Sequence, residues 1–183
     1  RDFYQLLLNG QKPTEKDLLE LLKTNWIDEG YQSREHVQHM FRKGERLLKE
    51  YLSNAFDPKH LPLSLEFPFQ FRIQNGDQTL KIAGKIDRVD RLKDGRIEIV
   101  DYKTGTNEPD EKELANNLQL TVYALAATEI KDALLGKKAE DVVLSLYFLE
   151  SGNKFTTTRS AAQLAKAKDE LLEIADKISA SDF

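Results

Sequence analysis

From Leu63 to Ile73 apolar and polar residues alternate without a miss: Leu63, Leu65, Phe67, Phe69, Phe71 and Ile73 share one parity. Successive side chains of a strand leave opposite faces, so this run specifies a strand with one buried face. Asn75-Gly76 follows, a dipeptide suited to the left-handed backbone of a tight hairpin turn. A second strand is expected from about Leu80 to Arg91, a second hairpin at Asp94-Gly95, and a third strand from Arg96 to Lys103. The middle of the chain therefore reads as an antiparallel meander. Pro68 lies on the polar parity and has no N–H to give, which marks its strand as an edge strand or a bulged one.

The flanks read differently. Thr14 is a candidate N-cap, with Asp17 in the first turn and Leu18, Leu19, Leu22 and Trp26 following at helical spacing. Ser33 is a candidate cap for a further helix carrying Val37, Met40, Phe41, Leu47, Leu48 and Tyr51, and Asp57-Pro58 and Pro62 end it. Beyond the meander a helix is expected over 110–131. The unbroken apolar run Val142–Leu149 reads as a strand covered on both faces. Ser151-Gly152-Asn153 turns into a Thr-rich strand, and a last helix carries Leu164, Leu171, Ala175 and Ile178. At 183 residues this pattern fits one α/β domain with a mixed central sheet flanked by helices. Residues 1–62 form its N-terminal helical part, and residues 63–183 its core and closing helix.

The chain has no cysteine, which excludes disulfides, zinc–thiolate sites and any iron–sulfur cluster held by these residues. No apolar run reaches the roughly 18 residues that span a bilayer, and no leader or lipidation motif is present, so a cytoplasmic location is expected. The net charge of −4 counts against strong autonomous binding to nucleic acid, yet suits a site built from carboxylates. The chain opens without Met inside a helical pattern, the expectation being a segment of a longer polypeptide.

Chemistry concentrates at one point. Ile97, Ile99, Asp101 and Lys103 share a parity, so an acid and a base emerge together where the third strand ends. The antiparallel turn at Asp94-Gly95 can bring Asp87, in Gly84-Lys85-Ile86-Asp87-Arg88-Val89-Asp90, close to Asp101. Two adjacent carboxylates repel unless a cation or a proton lies between them, and hard oxygen ligands suit Mg²⁺ or Mn²⁺. Taken singly, each motif has a plainer reading. Asp101 and Lys103 fit a surface ion pair, Asp87 with Arg88, Asp90 and Arg91 a solvated charged edge, and Gln119 with Tyr123 a half-buried polar pair.

Taken together, Gly-x-Ile-Asp-Arg-x-Asp, Val-Asp-Tyr-Lys-Thr-Gly over 100–105 and Gln-Leu-x-x-Tyr over 119–123 resemble the RecB-type branch of the PD-(D/E)XK nuclease superfamily. That resemblance implies a restriction-endonuclease-like core and Mg²⁺-dependent DNA cleavage, with Mn²⁺ able to substitute. It implies that Asp87, Asp101 and the Tyr102 carbonyl hold the metal and that Lys103 is catalytic. Gln119, Tyr123 and Thr104 are then substrate contacts, and Glu66 a weaker site candidate. It also implies a UvrD-type DNA helicase in the same or a partner chain, delivering single-stranded DNA ends. The branch draws a further metal-ligating His from an N-terminal helix. His36, His39 and His60 do not fill that place, and the expectation is a His upstream of Arg1. A catalytically silent module of the same fold, kept for DNA binding or subunit contact, is the alternative.

Overall fold

The computed structural model describes residues 1–76 and 78–180. Packing divides them into two units, one of 1–61, 103–107 and 147–153, the other of 62–102, 108–146 and 154 onward. The first unit carries α1 (Asp2–Leu8), α2 (Glu15–Thr24) and α3 (Arg34–Asn54). The caps foreseen in the sequence form. Thr14 and Asp17 make a reciprocal capping box, and Ser33 Oγ accepts the His36 N–H at 3.1 Å. Phe3 and Tyr4 set their rings edge-on to Phe56, and Trp26, just past α2, meets Phe41 at 5.1 Å.

The strands are β1 (Ser64–Asn75), β2 (Gln78–Arg91), β3 (Ile97–Lys103), β4 (Val142–Phe148) and β5 (Lys154–Thr157), in the order β1-β2-β3-β4-β5 across one sheet. β1, β2 and β3 pair antiparallel, as the two hairpin signals required. The Leu149 N–H reaches the Lys103 carbonyl at 2.9 Å, so β3 and β4 end side by side and run parallel. The Phe148 N–H donates to the Asn153 carbonyl, closing β4 onto β5 as a hairpin. The sheet is mixed, and β4 is buried along its whole length, as a strand covered on both faces must be.

Four expectations need correction. The first turn lies one residue on, because Asn75 pairs with Gln78; Gly76 takes φ +56°, and Asp77 lies outside the described residues. The alternation of β1 buries Phe69, Phe71 and Ile73, whereas Leu63 precedes the strand and is 40% exposed. Edge position, already signalled by Pro68, leaves that end of the run open to water. The helix expected over 110–131 is two, α4 (Glu111–Ala115) and α5 (Leu118–Glu129), because the Asn117 side chain caps a new start by accepting the Leu120 N–H at 3.0 Å. In α6 (Ala161–Ser179) the buried stripe is Leu164, Ala167 and Leu172, and Ile178 is 57% exposed.

Candidate active site

Strand register sets the centre of the site. Arg88 faces Val100 across β2 and β3. Asp87 is the next residue of β2 beyond that pair, and Asp101 the next of β3. The Tyr102 N–H donates to Asp87 Oδ2 at 3.0 Å, holding that carboxylate against the end of β3. Asp101 is 3% exposed. Its Oδ1 accepts from Gln119 Nε2 at 2.8 Å and from the Tyr123 hydroxyl at 3.0 Å.

Gln119 and Tyr123 stand one turn apart on α5, and the Gln119 amide also donates to the phenol oxygen at 2.9 Å. The phenol in turn reaches the Lys85 carbonyl at 3.2 Å. A closed triangle of Asp101, Gln119 and Tyr123 thus ties the helix to β2 and β3. Burial, and then the neighbouring Asp101 carboxylate, push the Tyr123 phenol well above its ordinary value, which keeps its proton in place to donate. Gly84 supports the same triangle. Phe69 pairs with it across the hairpin, and a Cβ there would meet the Phe69 ring at 2.6 Å. The ring that Gly84 admits lies edge-on to Tyr123 at 6.0 Å.

Arg88 and Asp90 are not the solvated edge that their charges suggested. Both are buried, and Arg88 Nε meets each Asp90 oxygen at 2.8 Å. The Arg88 guanidinium also donates to the Tyr102 hydroxyl at 3.3 Å. They share a parity two residues apart on β2, which lies inside the sheet between β1 and β3. Arg91 is exposed. Glu98 is buried as well and accepts from Ser145 Oγ at 2.6 Å and Lys154 Nζ at 2.8 Å. Arg159, also buried, gave no signal in the sequence, since its partners are mostly backbone carbonyls set by the fold.

The remaining candidates are placed as follows. Lys103 is the last residue of β3, on the parity of Asp101, and is half-buried; Thr104 follows it and is exposed. Glu66, at φ +49°, lies between Leu65 and Phe67, which pair with Arg88 and Ile86, and its carboxylate meets Lys85 Nζ at 2.9 Å. His36, His39 and His60 are all exposed. Among the described residues no group of three or more His, Asp or Glu side chains is gathered for a metal. The groups here that could hold an ion are the Asp87 and Asp101 carboxylates and the Tyr102 carbonyl. Such hard oxygens fit Mg²⁺, which keeps several of its waters and is commonly held by one or two carboxylates.

A model of the PD-(D/E)XK nuclease superfamily matches residues 1–183, the whole chain. The chain belongs to the PD-(D/E)XK nuclease superfamily. Within it, a segment of 58 residues is 47% identical to a subunit of the ATP-dependent helicase/deoxyribonuclease of Streptococcus mutans serotype c, and 43% identical to the corresponding subunit of Streptococcus agalactiae serotype Ia. Each match covers 31% of this chain and 5% of the relative, so the chain aligns with a small part of those proteins. The crystal structure of SSO0001 aligns over 86% of this chain and 67% of that one, with a TM-score of 0.40 and 16% identity. Among the described residues no helix is long and apolar enough to cross a membrane.

Proposed function

We propose that this chain is the nuclease module of a larger helicase–nuclease. It would hydrolyse phosphodiester bonds in DNA with Mg²⁺, acting on single-stranded ends in the cytoplasm, within DNA repair or recombination. Residues 63–183 are the nuclease core and 1–62 a helical part of the same domain. The observation that supports the reading is the Tyr102 N–H on Asp87 Oδ2 at 3.0 Å, which ties the Asp87 carboxylate to the residue next to Asp101. Membership of the superfamily and the partial identity to helicase/deoxyribonuclease subunits support it.

Asp87, Asp101 and the Tyr102 carbonyl would hold the ion, which when bound supplies polarisation of a phosphoryl oxygen and acidification of a water. Lys103, on the Asp101 side of the strand, offsets negative charge that develops on the phosphate. Gln119 and Tyr123 hold the Asp101 carboxylate at one angle, and with Thr104 they position the DNA strand. Glu66 is a weaker contributor, since it is engaged with Lys85.

The test is Mn²⁺ titration by calorimetry into the full-length protein and its Asp101→Asn variant, beside cleavage of single-stranded and duplex DNA in Mg²⁺. Asparagine keeps the shape and the Oδ1 acceptor, so the variant isolates the charge. Metal binding and cleavage that both vanish in the variant are expected; cleavage that persists would overturn the assignment. Metal binding without cleavage in the natural protein would favour a silent module.

A further inference from the structure

Arg159 is buried, 3% exposed, and the groups that accept its hydrogen bonds are neutral hydroxyls and carbonyls. Nε donates to Thr121 Oγ1 at 2.9 Å. One terminal nitrogen donates to Thr157 Oγ1 at 3.2 Å and the Thr158 carbonyl at 2.9 Å. The other donates to the Leu114 carbonyl at 3.0 Å and the Asn117 carbonyl at 3.3 Å. These five bonds match the five N–H groups of a guanidinium. Burial alone disfavours its charge and lowers its pKa from the ordinary value.

The placement of those bonds is informative. Leu114 lies in the last turn of α4, Asn117 caps α5, and Thr121 ends the first turn of α5. Arg159 therefore bonds both sides of the break that divides the two helices. Had the helix run on unbroken, the Leu114 carbonyl would accept from the N–H four residues on; instead it takes the Asn117 N–H at 3.3 Å beside Arg159, while the Asn117 carbonyl accepts the Thr121 N–H at 3.1 Å and so opens α5 at its own rotation. A helix turns by about 100° per residue, so the phase of its first turn decides which side chains face the sheet.

We propose that Arg159 is a positioning residue for the site: it fixes the break between α4 and α5, and with it the rotation at which α5 presents Gln119 and Tyr123 to Asp101. This inference rests on the reading of Asp101 as a functional carboxylate. Arg159 touches neither Asp101 nor any reacting group, and acts only through the start of α5. Lysine at this position keeps the charge but has at most three donors on one nitrogen, and cannot span Leu114, Asn117 and Thr121 together.

The experiment uses the full-length protein with Arg159→Lys, Arg159→Gln, Gln119→Ala and the double variant of Arg159→Lys with Gln119→Ala. Two readouts are taken: single-turnover cleavage of end-labelled single-stranded DNA in Mg²⁺, and hydrogen exchange followed by mass spectrometry. Arg159→Lys is expected to lower the cleavage rate constant by about tenfold or more, and Arg159→Gln by at least as much. In the Gln119→Ala background the same change should cost less than about twofold, because residues acting as a unit are not additive. Exchange should rise over 114–123 and stay unchanged over 86–91. Independent, multiplicative losses would overturn the proposal, as would exchange that rises equally in both segments or in neither. Should Arg159→Gln fail to fold, Arg159→Lys decides alone. If the natural protein cleaves nothing, the nuclease reading fails, while the exchange pattern still decides whether Arg159 sets α5.

Discussion

Charge is handled differently in the helices α1–α3 and in the sheet with α5. On α3, Arg46 meets Glu50 one turn away and Lys43 meets Glu150, all at partly exposed positions where water screens the charges and a pair contributes little. On the strands, Arg88, Asp90, Glu98 and Asp101 are buried, and each is enclosed by specific donors or acceptors. Taking such groups out of water is costly, and well-packed apolar residues would often stabilise the fold as well or better. What the buried set supplies is geometry. Asp101 is held by Gln119 and Tyr123, and Tyr102 lies between Asp87 on its N–H and Arg88 on its hydroxyl. The helices can lose a charged pair with little consequence, and the sheet cannot.

The largest effects are expected where the contrast is steepest. In the full-length protein Asp101→Asn should bring Mg²⁺-dependent cleavage down to background with the unfolding midpoint little changed, read from a gel assay and a denaturant titration in parallel. Lys103→Ala should cost about 10²–10³-fold in rate, the loss expected when one group aimed at developing charge is removed. Activity unchanged by Lys103→Ala would remove this residue from the mechanism and leave it a strand-end cation.

Next in size is the pair beneath the site. Arg88→Ala and Asp90→Ala each break a buried ion pair, so each should cost about 3–5 kcal/mol in a chemical denaturation experiment. Replacing both together with Met and Leu should recover most of that stability yet leave cleavage impaired, because the bond from Arg88 to the Tyr102 hydroxyl is lost. Full activity in the double variant would show that the pair serves stability alone. Tyr123→Phe should follow, with a cost of about 1–3 kcal/mol for leaving Asp101 short of a donor. A loss near zero would mean that the Gln119 amide suffices.

Much of this contrast was legible in the residues themselves. The unbroken parity of Phe67, Phe69, Phe71 and Ile73, with two Gly-containing turns, specified the meander and so the approach of Asp87 to Asp101. Thr14 and Ser33 announced their helices through local hydrogen bonds that need no tertiary context. The break at Asn116 and Asn117 had a local mark in the Asn117 cap, but the helical pattern on either side hid it, and Arg159, which bonds both sides of it, lies more than forty positions away. The burial of Arg88 and Asp90 was missed for a similar reason. Charge next to charge on a strand looks like a surface until the neighbouring strands and helices that cover it are known. The roles of Gln119 and Tyr123 came from resemblance, and the triangle they make with Asp101 needs the sheet and α5 together.

The helical side should yield only small effects, which sharpens the comparison from below. Thr14→Ala removes half of a capping box and should cost about 1 kcal/mol, without touching cleavage. Glu150→Gln should cost less still. The Lys43 ammonium and then the Arg46 guanidinium hold the Glu150 carboxyl below its ordinary 4.5. A carboxyl whose folded pKa is depressed contributes stability above the unfolded value and loses it as the pH falls through the folded one. Natural protein and variant should therefore differ slightly in Tm at neutral pH, less in concentrated salt, and converge once the pH has dropped below the folded pKa. A difference that survives both acid and salt would show that Glu150 is held by something other than its charge, and would bring this part of the molecule closer in character to the sheet.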